Sequence, residues 1–429
     1  MSSAHALVHI GEPHDLYYQD EKNAMKQAIA VSYNTRYTQE FSNKGSGTSV
    51  FVIPPNQGCK HALIVLGYSA SSLSALTGSA ALERGWGYTA LAQVSFRIGG
   101  SSQYFLTGAQ LLARNLRLCR TKTQRNAILS LGGQECIFPG AASTDQYAYI
   151  PVSIWSAPGC DDLQVPLPTD LLSQQVQITA QLNPPSAFWA NSASFATQSL
   201  PPTQLDTAYF QVEQLEMLDR GQALSNRVDM STHMYAMPLP TFDQFEVTQT
   251  LGPSAAVQQV VLTGFRAGEV KKVQIWCSPA PGSTPAGGSS GAPISGTANP
   301  QLWYSPKAVT LLYAGLPYAV YNNGSAAIWN LMDGTSPAAV DQSALTISTT
   351  SPYAFADVGV LSSWVELPFA QPTGSDYEAD VLVHGREITN GIVNLQVTLP
   401  DATNAWVLHV VYVYNASIGF SKGSAELIF

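Results

Sequence analysis

From about Gly45 onward the chain is written in short strand-like runs that turn residues keep cutting off. SVFVIPP (49–55), HALIVLGY (61–68), YTALAQVSFRI (88–98), YAYIPVSIW (147–155) and QVQITAQL (175–182) make up the first series. FEVTQTL (245–251), AVQQVVLTGF (256–265), VKKVQIWC (270–277), AVTLLYAGLPYAVY (308–321), ALTISTT (344–350), GIVNLQVTL (391–399), AWVLHVVYVYN (405–415) and SAELIF (424–429) make up the second. They are rich in β-branched and aromatic residues, partly alternating, and bounded by Gly, Pro, Asn or Ser, which predicts strands and not helices. Their spacing predicts all-β sandwiches with long loops.

A chain of 429 residues is longer than one ordinary domain and predicts two. Both halves run strands, a long excursion, then strands again, as an internal duplication of one fold would, without a crisp sequence repeat. The excursion in the second half, PAPGSTPAGGSSGAPISGTANP (279–300), has too few apolar side chains to build a core and is expected as an exposed loop. Three stretches read as helices. Residues 20–30 (DEKNAMKQAIA) place Ala24, Met25, Ala28 and Ile29 on one side within a polar arm, 1–34. Residues 107–120 set Leu111, Leu112, Leu116 and Cys119 at helical spacing, and VEQLEMLDRGQALSNRV (212–228) sits at the midpoint behind a proline-rich stretch.

Hydrophobic residues are 45% of the chain and aromatics 10%, so it folds, yet charged residues are only 11% against roughly 25% in an average soluble protein. A folded chain this poor in charge either carries a neutral polar surface or hides its surface against other subunits. The net charge of −9 argues against coating nucleic acid. Cys59, Cys119, Cys136, Cys160 and Cys277 are odd in number and scattered, which gives neither a disulfide framework nor a zinc site. The N-terminus has no basic stretch leading into an apolar core, and no apolar run reaches about 18 residues, so neither a signal peptide nor a membrane span is expected.

The search for chemistry returns little. His5, His9 and His14 cluster in the arm without a carboxylate at useful spacing; His61, His233, His384 and His409 are scattered. No HxH pair exists, so the metal site of a two-domain cupin cannot be assembled. No GxSxG, Walker loop or HExxH occurs, and LSLGGQ (129–134) and RIGGSS (97–102) lack the strand–helix context of a phosphate loop. Asp161 and Asp162, the acidic doublet, fall in a turn. Arg114, Arg117, Arg120, Lys122 and Arg125 concentrate positive charge, but no aromatic residues interleave, so they are expected on a solvated or subunit-facing side of the 107–120 helix. The sequons at Asn323 and Asn415 are expected to stay unmodified. No catalytic, cofactor-binding or metal-binding residue is assigned, and no cofactor is expected.

Three phrases, in order along the chain, resemble the double jelly-roll major capsid proteins of icosahedral double-stranded DNA viruses, the lineage of large DNA viruses, virophages and polinton-like viruses. In YAYIPVSIWSAPGCDDLQVPLPTDLLSQQVQITAQL (147–182), Ile150-Pro151-Val152, Trp155, Leu167-Pro168, Val176 and Ile178 occupy that family's places. In 212–228, Leu218 and Asp219 match the phrase where a first jelly-roll strand runs into a short helix, while Gln222 and Ala223 replace its acid–arginine pair. WVLHVVYVYNASIGFSKGSAELIF (406–429) is similar to the family's C-terminus, and FRIGGSS (96–102) to a strand ending before an inserted helix.

The resemblance implies an all-β chain of two consecutive eight-stranded jelly-roll sandwiches with an N-terminal helical arm and short inserted helices. The expected divisions are an arm at 1–34, a first jelly roll at 35–217, a linker helix at 218–230 and a second jelly roll at 231–429. It implies no enzyme, but a homotrimer forming a pseudo-hexagonal capsomer that tiles an icosahedral shell. The 279–300 loop would face outward. The arm would lie beneath, against minor capsid or penton proteins, a scaffold or an internal membrane, with no sequence-specific nucleic acid. The chain would be made inside the infected cell and end in the virion. A β-sandwich carbohydrate-binding attachment protein, with Trp303-Tyr304 stacking on sugar, is the alternative, and a two-domain sandwich enzyme a third reading.

Overall fold

A computed structural model of the chain describes residues 31–54, 58–75, 80–82, 85–100, 104–117, 122–134, 136–138, 144–155, 167, 169, 172–190, 202–217, 234–238, 242–262, 269–280, 306–322, 365–368, 386–387, 393–400, 402–414, 417–421 and 424–428. The described strands of the first half are β1 (Val31–Glu40), β2 (Gly47–Ile53), β3 (Gly58–Tyr68), β4 (Ala80–Leu82), β5 (Leu91–Ile98), β6 (Tyr104–Thr107), β7 (Cys136–Phe138), β8 (Gln146–Pro151), β9 (Val176–Leu182), β10 (Trp189–Ala190) and β11 (Thr207–Met217). Those of the second are β12 (Met234–Pro238), β13 (Phe242–Leu251), β14 (Gln258–Val261), β15 (Glu269–Pro279), β16 (Ala308–Tyr313), β17 (Leu316–Asn322), β18 (Val365–Pro368), β19 (Arg386–Glu387), β20 (Val393–Thr398), β21 (Trp406–Tyr414), β22 (Ser417–Ser421) and β23 (Ser424–Ile428). The described helices of the first half are α1 (Ala70–Ser74), α2 (Trp86–Ala90), α3 (Gly108–Arg117) and α4 (Lys122–Leu131), with a 3-10 turn at Pro185–Ala187.

The strand order defines the fold. The first half forms two antiparallel sheets, β1-β11-β3-β8 and β2-β9-β5-β6. Counting the eight strands of these sheets in chain order, the sheets read 1-8-3-6 and 2-7-4-5. The second half forms β13-β21-β15-β18 and β14-β20-β16-β17, which read 1-8-3-6 and 2-7-4-5 again once the two-residue β19, which pairs with the start of β15, is set aside. Two sheets of four strands wound in this order are a jelly roll, and this chain carries it twice. No described ladder joins a strand of one half to a strand of the other.

Alternation builds each sandwich. Gln146, Ala148 and Ile150 of β8 point inward while Tyr147 and Tyr149 point out. Val176, Ile178, Ala180 and Leu182 of β9 and Val393, Leu395 and Val397 of β20 are buried in the same every-other pattern. Across the first sandwich, Phe51 of β2 stacks on Phe210 of β11 at 4.8 Å, and Phe41 meets Phe51 edge-on at the same separation. In the second, Val273, Ile275 and Cys277 of β15 share a face with Leu408, Val410 and Tyr412 of β21, all buried.

Antiparallel pairing also fixes which connections share an end. β3 ends where β8 and β11 begin, so α1, β4 and α2 after β3, α3, α4 and β7 before β8, and β10 before β11 all gather at one end of the first sandwich. There β10, β4 and β7 form a small side sheet. β1 begins and β11 ends at the opposite end. In the second half β15 likewise ends where β18 and β21 begin. The end of β15 is therefore equivalent to the end of β3, from which α1, β4 and α2 follow in the first half. β12, β22 and β23 pair into a separate sheet, whose strand β23 touches β5 of the first half.

Several expectations need correction. β1 begins at Val31, inside the stretch read as arm. Residues 88–98 are not all strand: Gly85, at φ 79°, turns the chain into the short helix α2 before β5 starts at Leu91. Residues 308–321 are a hairpin, turned by Ala314 and Gly315 at φ 51° and 79°, the left-handed pair that suits a two-residue β-turn. The 212–228 helix fails over its first part, because β11 continues to Met217: Phe210, Val212 and Gln214 are buried alternately against the sandwich, a period of two that V-E-Q-L-E-M hides. The 20–30 helix, the 218–230 linker helix and ALTISTT (344–350) lie outside the described residues.

Candidate functional site

Among the described residues, Arg114, Asn115, His409, Cys59 and Cys277 are buried within the sandwiches. The 107–120 helix is observed at Gly108–Arg117, and its burial differs from expectation. Leu111, Leu112 and Leu116 are buried, but so are Gln110, Arg114 and Asn115. Arg114 is 0% exposed and its Nη2 donates to the Ile154 carbonyl at 2.7 Å, so it is a core residue and not part of a solvated basic face. Asn115 Nδ2 donates to the Pro151 carbonyl (2.9 Å) and to the Tyr88 hydroxyl (3.1 Å), tying α3 to β8 and α2. Gly108 permits this approach, since a Cβ there would sit 1.9 Å from the Tyr88 carbonyl oxygen. The side chains of Arg117, Arg120, Lys122 and Arg125 lie outside those described.

His409 is paired with Ser278, Oγ to Nε2 at 2.8 Å, and stacks on Trp276 with 5.2 Å between ring centroids. All three are buried, so this serine–histidine pair joins β15 to β21 inside the protein. Cys59 and Cys277 are free thiols, fully buried, and burial pushes both pKa values up, which keeps them protonated and inert. Among the described residues no three His, Cys, Asp or Glu side chains come together as metal ligands. His5, His9, His14, His233, His384, Cys119, Cys160, Asp161, Asp162, Trp303, Tyr304, Asn323 and Asn415 lie outside the described residues.

Other described polar groups lie at the surface. At the insert end of the first half, Asp206 accepts hydrogen bonds from the Ser69 amide (2.8 Å), Ser72 Oγ (2.8 Å) and Ser69 Oγ (3.0 Å). Burial alone would raise its pKa, but these bonds and the Lys44 charge carry it below the ordinary carboxylate value. Asp145 accepts from the Ala70 amide at 2.7 Å. The two aspartates therefore fasten α1 to the start of β11 and to the lead-in of β8. On the outer face of β8, Tyr147 and Tyr149 are 38% and 37% exposed, their rings 6.2 Å apart. Gly67 of β3 seats the first of them, since a Cβ there would lie 2.5 Å from Tyr147 Cδ1.

The sheet edges form the other exposed surface. β17, the edge strand of its sheet, exposes Leu316 (72%), Tyr318 (41%) and Val320 (67%). Residues 308–321 read as one apolar run, so the exposure of β17 was hidden in the sequence; the Ala314-Gly315 turn is the signal that separates its two strands. The outward tyrosines of β8 were readable from the alternation of Q-Y-A-Y-I-P.

This arrangement has close architectural parallels. No protein-family model and no curated protein matches the sequence. Solved structures do match in fold. The chain is similar to VP54 of the virus PBCV-1, fitted into a reconstruction of the virophage Sputnik, with a TM-score of 0.58 and 13% identity over 93% of this chain and 98% of that one. It is similar to the Faustovirus major capsid protein at a TM-score of 0.56, with 10% identity over 91% and 90% of the two chains. The mavirus major capsid protein gives 0.51, with 11% identity over 92% and 90%. The fold is thus the double jelly roll of viral capsid proteins, matched over nearly the whole length of each chain.

Proposed function

We propose that this chain is the major capsid protein of an icosahedral virus and acts by assembly, not catalysis. The observation that carries the reading is the twofold repetition of one eight-strand order in a single chain. Two equivalent sandwiches per subunit let three chains approximate a ring of six, and such a ring tiles a facet. The likeness to VP54 and to the Faustovirus and mavirus capsid proteins supports the same reading. The use of Arg114, His409 and the two buried thiols as core groups fits a protein without a reaction to perform.

On this reading the subunit is a jelly roll up to about residue 217, a linker at 218–230 and a second jelly roll from 231. The partners are two further copies in a trimer, neighbouring capsomers and minor or penton proteins. The end of the first sandwich bearing α1–α4 faces outward, and so would the Gly/Pro/Ser-rich stretch at 279–300. The opposite end, where β1 begins, faces the shell interior and directs the N-terminal residues toward a scaffold or membrane. Size-exclusion chromatography with light scattering tests the assembly directly. The expected mass is three times 45.8 kDa, and a monomer at micromolar concentration contradicts the proposal.

A further inference from the structure

The strands that open and close the second jelly roll run on past it as a ribbon. β13 begins at Phe242, opposite Tyr414, where β21 ends. Just beyond, β12 and β22 pair antiparallel from Pro238 and Ser417 to Met234 and Ser421, and β23 folds back on β22. The ribbon leaves the second sandwich at the end equivalent to the one where β1 begins and β11 ends. It meets the first half at that same end. Gly99 stands just after β5 and Gln174 just before β9, away from the inserted helices.

The first half carries a shaped seat for the ribbon. Gly99 turns at φ 54°, and its amide donates to the Gln175 carbonyl at 2.8 Å. A Cβ there would lie 2.5 Å from Gln174 Cδ, so glycine is what lets the glutamine side chain lie across the turn. Gln174 Oε1 then accepts from the Ala425 amide of β23 at 3.2 Å, and β23 packs on β5. A second contact between the halves is slighter. β6 lies against β13 with no ladder between them, Phe105 of β6 is 48% exposed, and Thr248, Gln249 and Thr250 of β13 are exposed as well. Two packed bodies can turn about a contact that is open to water and has no ladder, whereas a strap seated at one end holds them.

We infer that the β12-β22-β23 ribbon is a strap that fixes the angle between the two jelly rolls of one chain, with Gln174 as the positioning residue on which it closes. Strapped, the two lobes keep one mutual orientation. Released, they turn about the contact of β6 with β13. The strap is a property of the single chain. Its consequence, a subunit held at the angle that a ring of six lobes requires, rests on the capsomer proposed above.

The test uses the full chain, with a ketone-bearing amino acid at exposed Ser71 of α1 and another at exposed Val261 of β14 to carry a donor and an acceptor dye. Labelled chains are diluted into excess unlabelled chain, and energy transfer reads the distance between the two halves. Gln174→Ala removes the acceptor of the strap bond, Ala425→Pro removes its donor, and Gln174→Glu keeps an acceptor oxygen. The expected result is one narrow distance in the wild type and in Gln174→Glu, and a broad distribution in Gln174→Ala and Ala425→Pro. In Gln174→Ala the amides of 424–428 are expected to exchange about tenfold faster, the worth of one hydrogen bond, while those of β2 and β13 keep their rates. Faster exchange with the distance still narrow, or unchanged exchange in both variants, overturns the strap and leaves the capsomer standing. A monomeric wild type whose distance broadens when the strap is cut overturns the capsomer and leaves the strap.

Discussion

The two jelly rolls share a strand order and differ in what covers their equivalent sheets. In the first, the outer face of β3, β8 and β11 is partly open: Tyr147 and Tyr149 stand more than a third exposed. Those tyrosines lie on the edge strand β8, whereas the central strands of the second half, β15 and β21, are buried on both faces. Val273, Ile275 and Cys277 occupy one face of β15, and Lys272, Gln274, Trp276 and Ser278 the other, all buried. Strand order is therefore maintained by alternation and pairing alone, while the fate of each outer face is set locally by side chains. The first half spends its polar groups on fastening inserted helices, through Arg114, Asn115, Asp145 and Asp206. The second threads them through the centre of a sheet, where each must keep its partner.

That contrast can be broken by substitution in each half. The largest effect is expected from Trp276→Ala on the closed face, a fully buried side chain stacked on His409, at about 3–5 kcal/mol of unfolding free energy. Hydrogen exchange should show protection lost in β15 and β21 and kept in β3 and β11; uniform loss would mean that the halves do not differ as described. Next comes a pair of serines. Ser278→Ala removes a partner of His409, and Ser153→Ala removes the oxygen that accepts from the Ala62 amide at 2.7 Å in the first half. Each leaves a buried polar group short of a bond and is expected to cost about 1–3 kcal/mol in denaturant titrations. Equal costs would sharpen the view that both cores depend on satisfied polar groups. The smallest effect is expected from Tyr149→Ser on the open face, within about 0.5 kcal/mol for the isolated subunit. A loss comparable to that of Trp276→Ala would show that this face is closed after all.

The fold was largely legible because alternation writes it. HALIVLGY, QVQITAQL, GIVNLQVTL and AWVLHVVYVYN all became central strands. The inserted structure was harder. α2 was masked because W-G-Y-T-A is aromatic and β-branched and is held helical by its packing: a Cβ on Gly87 would meet Ala148 Cβ at 2.5 Å. β11 was masked at its end because Val212–Met217 satisfies both a period of two and a period of 3.6. Arg114 read as surface charge, since burial of an arginine depends on a carbonyl at Ile154, forty residues away, which no local pattern announces. The exposed edge at β17 required knowing which strand ends its sheet, and only the assembled topology supplies that.

The central claim is that two equivalent sandwiches per chain make a three-chain ring with six lobes. The most direct test is a cryo-electron microscopy reconstruction of the purified assembly with no symmetry imposed. The account requires three subunits and six sandwiches around one axis. A reconstruction with the sandwiches strung end to end, or with lobes that do not close into a ring, would contradict it.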